Sequence, residues 1–338
     1  STTYTVGAND WDLGGVTVSA SAGGGSDETI FSVAEPRPTI SVTSASDTVA
    51  PRDTVDVTGT VTYEAPFGGL AVQGESVQLS APESSGSLGT TSGTTDSNGE
   101  FTATYDPASG DFGSTVTVVG GILGTERFDE TQFDVQAPVT VEATANLGVT
   151  APTGTDVTFQ LVGGDGLFGV SKTATTSAGD ATVSVTFDEH PLGGPLNPSE
   201  YTVKVTRADE VYETGASTVV SPGSGETATP TFDLGARDAT LDVAAALEKT
   251  APETDFPVDL NVTLPDGSEV SRTVTLASGA TDLSGVDSAL TVPGIDHDAS
   301  YDVNVSATGY DNATATASVV PGGSTTVDAD TLAARNLT

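Results

Sequence analysis

The sequence predicts an all-β chain built from tandem β-sandwiches behind an N-terminal β-arm. Three observations carry this. A signature recurs at Ala50-Pro51, Ala151-Pro152 and Ala251-Pro252, and the later two copies align almost without gaps. Thr150-Ala151-Pro152 matches Thr250-Ala251-Pro252, Ser171-Lys172-Thr173 matches Ser271-Arg272-Thr273, and Tyr201-Thr202-Val203-Lys204-Val205 matches Tyr301-Asp302-Val303-Asn304-Val305. The offset of about 100 residues is the length of one sandwich, so the repeat is an array of whole domains rather than a solenoid. Finally, Val and Thr alternate in short runs broken by Gly and Pro, which is strand patterning rather than helix or disorder.

In chain order, residues 1–36 form a lead segment. Tyr4 and Val6 alternate, as do Val16, Val18 and Ala20, and Ile30-Phe31-Ser32-Val33 follows the turn Gly23-Gly24-Gly25. The only Trp, Trp11, lies here. Two or three such strands cannot hold a core alone. They form either a docking arm or an extra hairpin on the first sandwich. Glu35-Pro36-Arg37-Pro38 is a stiff hinge, because each Pro holds its predecessor extended.

The first sandwich is expected over 37–136. Its strands are Thr39–Val42, Val55–Val61, Val77–Leu79, Phe101–Tyr105 and Val116–Val119, with a turn at Asp96-Ser97-Asn98-Gly99-Glu100. The second is expected over 137–235, from Val139-Thr140-Val141-Glu142-Ala143 through Val157–Leu161 and Ala181–Phe187. The third, over 236–338, repeats it from Ala239-Thr240-Leu241-Asp242-Val243 through Val258–Val262 and the turn Pro265-Asp266-Gly267. Ala244–Lys249 has helix-forming composition. Its alignment with Ala143–Leu147 makes it strand and loop.

Two stretches resemble known families. Asp96–Tyr105, with Gly74–Leu79 upstream, resembles the hairpin of bacterial Ig-like domains in invasin- and intimin-type adhesins. Tyr301–Tyr310 resembles the closing strand of carboxypeptidase-regulatory-like, or transthyretin-like, modules; the second repeat keeps the Tyr201 half and departs at Arg207-Ala208-Asp209. Both resemblances imply small, non-enzymatic Ig-like sandwiches serving as spacers or adhesive modules.

Composition narrows the function. Asp and Glu total 47 against 10 Lys and Arg, for a net charge of −37. Such self-repulsion opposes a compact state in dilute salt. At molar salt the Debye length shrinks to about 3 Å and the repulsion is screened. With scarce Lys and abundant Asp, Thr and Val, the chain looks haloarchaeal; an acidic secreted bacterial adhesin is the alternative. Nucleic acid is excluded as a partner because the few cations are scattered from Arg37 to Arg335. No apolar run reaches the roughly 20 residues of a membrane helix. With no Cys there is no disulfide, thiolate chemistry or cysteine-held metal. No signal peptide is legible, which fits either a removed leader or none.

Candidate chemistry is sparse. Gly164-Asp165-Gly166-Leu167-Phe168-Gly169 matches a dinucleotide-loop spelling, but Val170–Thr175 after it reads as strand, so a β-turn is expected. Asp296, His297 and Asp298 offer oxygen and imidazole ligands to a divalent ion, or form an exposed acidic loop. His190 sits in a similar inter-strand position with no acid or Ser pairing discernible. Asp96-Ser97-Asn98-Gly99 lacks the distal Glu of a calcium loop. Sequons at Asn261, Asn304, Asn312 and Asn336 are candidate glycosylation sites clustered at one end. No catalytic residue and no cofactor is expected.

The sequence therefore points to a non-catalytic structural or attachment protein forming homo-oligomers. The first reading is an exposed virion component of a haloarchaeal virus, such as a turret, spike or tail-fibre subunit. Its arm would dock on virion or envelope proteins, and its last domain would face host surface glycoprotein or glycans. The alternative is a haloarchaeal cell-surface protein or pilus-like filament subunit. A carbohydrate-active protein would need an aromatic platform, and the Tyr and Trp residues are dispersed.

Overall fold

A computed structural model describes residues 16–31, 36–65, 68–148, 151–163, 168–252, 254–294 and 299–335. Among them the secondary structure is almost wholly β, apart from one 3-10 turn at Ser109–Asp111. Ala244–Lys249 contains no helix, as the repeat required. The chain divides into two compact units, 1–138 and 139–338.

The first unit begins with a hairpin. Val16–Ala22 pairs antiparallel with Gly25–Phe31, Ala22 facing Gly25 across the two-residue turn Gly23-Gly24. Both turn glycines have positive φ, which suits the right-handed twist of the flanking strands. A sandwich follows. One sheet orders Pro38–Ser44, Val55–Tyr63, Glu100–Asp106 and Ser87–Leu88; the other orders Thr48–Val49, Phe128–Val135, Thr115–Ile122, Ser76–Ser80 and Ser92–Thr94. Alternation fixes the faces: in Val55–Tyr63 the residues Val55, Val57 and Val61 are buried while Asp56 is exposed. The Asp96–Glu100 turn forms as expected, its Asp96 carboxylate accepting from the Asn98 and Glu100 amides at 2.8 and 2.9 Å.

The second unit holds two sandwiches with separate cores. One packs Val141, Phe159, Leu161, Phe187, Tyr201 and Tyr212; the other packs Leu241, Leu260, Val292, Tyr301, Val303 and Tyr310. Their four-stranded sheets are equivalent. In the second sandwich the order is Gly169–Thr175, Asp156–Gly163, Tyr201–Ala208, Ser217–Val220; in the third it is Glu269–Leu276, Phe256–Thr263, Tyr301–Ala307, Ala313–Ala317. The Tyr301 strand is thus not the closing strand expected from its resemblance. It is an inner strand, flanked on both sides and followed by Ala313–Ala317 and Ser324–Asp328. Its fully buried alternate residues Tyr301, Val303 and Val305 explain the central place.

The repeat extends further than the sequence alignment showed. At the end of the second sandwich Tyr212 bridges Ala236, Glu213 N donates to Gly235 O, and Arg237 N donates to Val211 O. At the end of the third, Tyr310 bridges Ala334, Asp311 N donates to Ala333 O, and Arg335 N donates to Gly309 O. The first of these ends meets the third sandwich: Gly322 N donates to Arg237 O at 3.1 Å, and Arg237 Nε to Tyr212 O at 3.0 Å. Gly322 has φ +74, and a Cβ there would strike the Glu210 carbonyl oxygen. Only glycine fits this approach without strain. Gly322→Ala is expected to cost about 1–3 kcal/mol and to speed hydrogen exchange at the amides of residues 322 and 240, with little effect in the first unit.

Candidate functional site

The residues singled out from sequence disperse. Asp296, His297 and Asp298 lie outside the described residues, as do Asn336 and the glycine spelling at 164–167. Among the described residues, no group of three or more His, Asp or Glu is placed to hold a metal ion. Gly169–Thr175, after the glycine spelling, is a strand and not a helix. His190 packs edge-on against Phe168 with ring centroids 4.4 Å apart, and its Nδ1 accepts from Leu192 N. Asn261 and Asn304 face each other across paired strands, and Asn261 Oδ1 is buried without a hydrogen-bond partner. Asn312 lies exposed before the Ala313 strand.

The buried Thr and Asp side chains all brace backbone. Thr95 Oγ1 donates to Val72 O and accepts from Glu75 N. Thr155 and Thr176 both donate to Pro152 O, closing the loop that carries the recurrent Ala-Pro signature. Asp111 is the most heavily engaged. Tyr105 Oη donates to its Oδ2 at 2.7 Å, Ala108 N to the same oxygen at 3.0 Å, and Ser85 N to Oδ1 at 2.6 Å. Burial is the largest single influence on this carboxyl and pushes its pKa up. The hydrogen bonds from Ala108, Ser85, Tyr105 and Gly86 together outweigh it and hold the group below the usual carboxylate range. Burial, with the carboxylate beside it, pushes the Tyr105 phenol up to about 12. The sequence signal was a Tyr and an Asp six residues apart around Pro107, which the strand pattern alone gave no reason to connect.

Strand edges invite pairing with other chains unless they are blunted, and two edges here are. Lys172, on Gly169–Thr175, reaches the opposite sheet, where its Nζ donates to Thr186 O and pairs with Asp188 at 3.3 Å. The repeat-equivalent Arg272 donates to Ala289 O at 2.6 Å and pairs with Asp287 at 2.7 Å. Two of the chain's few cations therefore close the same corner of successive sandwiches. At the first sandwich Asp129, on one sheet, accepts from Val42 N, on the other, at 2.9 Å. The opposite edges, Ser217–Val220 and Ala313–Ala317, are paired on one side only and contain no charged residue.

The hairpin is the other open surface. Thr17 and residues 19–30 are exposed and Val18 is half-buried. Ile30 is 72% exposed. Elsewhere, Phe128 is 72% exposed over a shallow shelf floored by Gly121. A cleft of about 490 Å³ in the third sandwich is lined by Asp242, Asp282 and Asp328. Its Asp242 and Asp282 carboxylates already accept from Ser324 and Ser284.

No protein-family model matches this chain, and no curated protein is similar to it in sequence. Among solved structures, it is similar to the Bacillus anthracis TIE protein at 13% identity and a TM-score of 0.33, covering 88% of this chain and 59% of that one. It is similar to the group B streptococcus pilus 2b backbone protein at 16% identity and a TM-score of 0.33, covering 57% and 96%. The D0-D1 domain of intimin follows at 14% and 0.25, covering 55% and 100%. At these identities and scores the likenesses assign no function.

Asp111 gives a pH test. Its folded pKa is depressed, so its contribution is fully present above the unfolded value of about 3.9 and is lost as pH falls through the folded value. Asp111→Ala is expected to destabilise the first sandwich by about 3 kcal/mol at neutral pH, because three donors lose their acceptor. In urea titrations the gap between wild type and variant should narrow below pH 4.

Proposed function

We propose that this chain is a non-catalytic structural and attachment protein displayed on the outside of a virus particle or cell in a high-salt environment. One observation carries the reading: the buried Thr and Asp residues among those described, Thr95, Asp111, Thr155 and Thr176, are all engaged in holding backbone. The sandwiches have spent their interior polarity on rigidity, and what they offer other molecules is surface and length.

The finer assignment is an exposed virion component of a haloarchaeal virus: a turret, spike or tail-fibre subunit. The charge of −37 supports the high-salt setting. A second reading, a pilus-like filament subunit or adhesin of the host surface, is favoured by the uncharged edges and by the hairpin that, among the described residues, pairs only with itself. In both, the partners are other copies of the chain together with virion or envelope proteins, and the outward module meets host glycoprotein or glycans. Asn312 is the best placed of the described sequons for a glycan, since Asn261 and Asn304 lie within paired strands.

Two measurements test this. Circular dichroism should show β-structure persisting in multimolar KCl or NaCl and weakening in low salt; full stability in dilute buffer would remove the high-salt assignment. Electron microscopy at high salt, with antibodies to residues 1–36 and to the third sandwich, should label capsids or tails for the virion reading. Label confined to envelopes or filaments would establish the cellular one, and label only inside cells would refute both.

A further inference from the structure

We infer that the hairpin strand Val16–Ala22 of one copy adds to the edge strand Ala313–Ala317 of a second copy, joining chains head to tail. The inference rests on the reading of the chain as an assembly subunit and names the surfaces that assemble.

The donor is defined by what it lacks. A two-stranded hairpin is at best marginally stable in water, and this one is exposed along nearly all its length. Its two outer edges differ. Gly25–Phe31 carries Asp27 and Glu28, whereas Val16–Ala22 (VTVSASA) carries no charge and no Pro. Val18, Ala20 and Ala22 share one face, and Thr17, Ser19 and Ser21 share the other. The strand is thus amphipathic, with its polar residues already arranged for a solvent face.

The acceptor matches this pattern. Ala313–Ala317 (ATATA) ends its sheet and pairs only with Tyr301–Ala307. Its inner row lies beside buried Tyr301, Val303 and Val305 and is entirely alanine: Ala313 and Ala317 are buried, and Ala315 is half-buried. Its outer residues, Thr314 and Thr316, are exposed. An added strand with the Val18–Ala20–Ala22 face inward sets a larger side chain beside small ones and covers Ala315. The Thr and Ser rows then continue each other on the solvent side. The equivalent edge of the second sandwich fits less well. It is one residue shorter, and its inner row is Thr218 and Val220.

Charge selects the occupant. Two copies each carrying −37 repel over most of their surface. Strand addition brings together two strands that carry no charge themselves and keeps Asp27 and Glu28, opposite Ala20 and Ser19, and Asp302, opposite Thr316, one strand away from the new contact. Lys172 and Arg272 close the opposite corners of the repeated sandwiches, which leaves Ser217–Val220 and Ala313–Ala317 as the edges of those four-stranded sheets that no described side chain closes. Each copy carries one donor and one acceptor at different places, which makes the contact heterologous and able to propagate as a filament.

The chain has no cysteine, so an engineered pair reports contact without background. Full-length protein carrying Ser19→Cys, on the same solvent-side row as Thr316, is mixed with protein carrying Thr316→Cys at high salt and oxidised. The expected result is a covalent dimer that depends on concentration. The doubly substituted chain should give a ladder of multimers. Replacing Thr316→Cys with Val219→Cys should lose the cross-link. Sedimentation should show concentration-dependent oligomers for wild type. That association should be lost on deletion of residues 1–31, and also in the full-length variant Val18→Lys with Ala20→Lys, with β-structure unchanged. A monomer at all concentrations overturns the inference, as does cross-linking within one chain only, or equal cross-linking to residue 219. None of these outcomes touches the surface-protein reading, which stands or falls on where the antibodies label.

Discussion

The constraint on which this structure depends is the burial of small aliphatic side chains on one face of short alternating strands. Aromatic residues are 6% of the chain. Each core is therefore made mostly of Val, Leu and Ala, with a few large anchors such as Tyr105, Phe159 and Tyr301. A Val or Leu gives about 1.5–3 kcal/mol on full burial, so such a core works only if nearly every inward position is apolar. That demand fixes the register. A slip by one residue in Val55–Tyr63 would expose Val55, Val57 and Val61 and bury Asp56.

The same constraint decides where charge can go. The carboxylates are driven outward, and the described exception, Asp111, is tolerated because three donors converge on it. The scarce cations are used sparingly. Lys172 and Arg272 reach from one sheet to a carbonyl of the other, so each contributes through a bond to backbone as well as through its exposed ion pair. Exposed pairs alone contribute at most about 1 kcal/mol.

Repetition explains the junction between the last two sandwiches. A short linker ending in Arg237 satisfies backbone groups of the turn behind it and accepts from Gly322 ahead of it. The third sandwich repeats the backbone bridges around Arg335, whose Nε donates to the Asp311 carboxylate instead of a carbonyl. The junction is made from backbone hydrogen bonds and a close glycine approach.

The all-β class, many of the strand positions and the equivalence of the last two sandwiches were legible in the sequence, because side-chain alternation is a local signal and the repeat reinforces it. Val157–Leu161 and Val258–Val262 needed no partner to be recognised. The sequence could not place the Tyr301 strand inside its sheet, because sheet order depends on which distant strands pair, and Ala313–Ala317 is too bland to announce itself. Nor could it join Tyr105 to Asp111 and Ser85, or Lys172 to Thr186, since these bonds form only when two sheets face each other. The candidate site followed the same division. Charge and the missing cysteines are totals over the chain, readable without a fold. The open edge and the exposed hairpin are defined by what lies beside them, which only the tertiary structure decides.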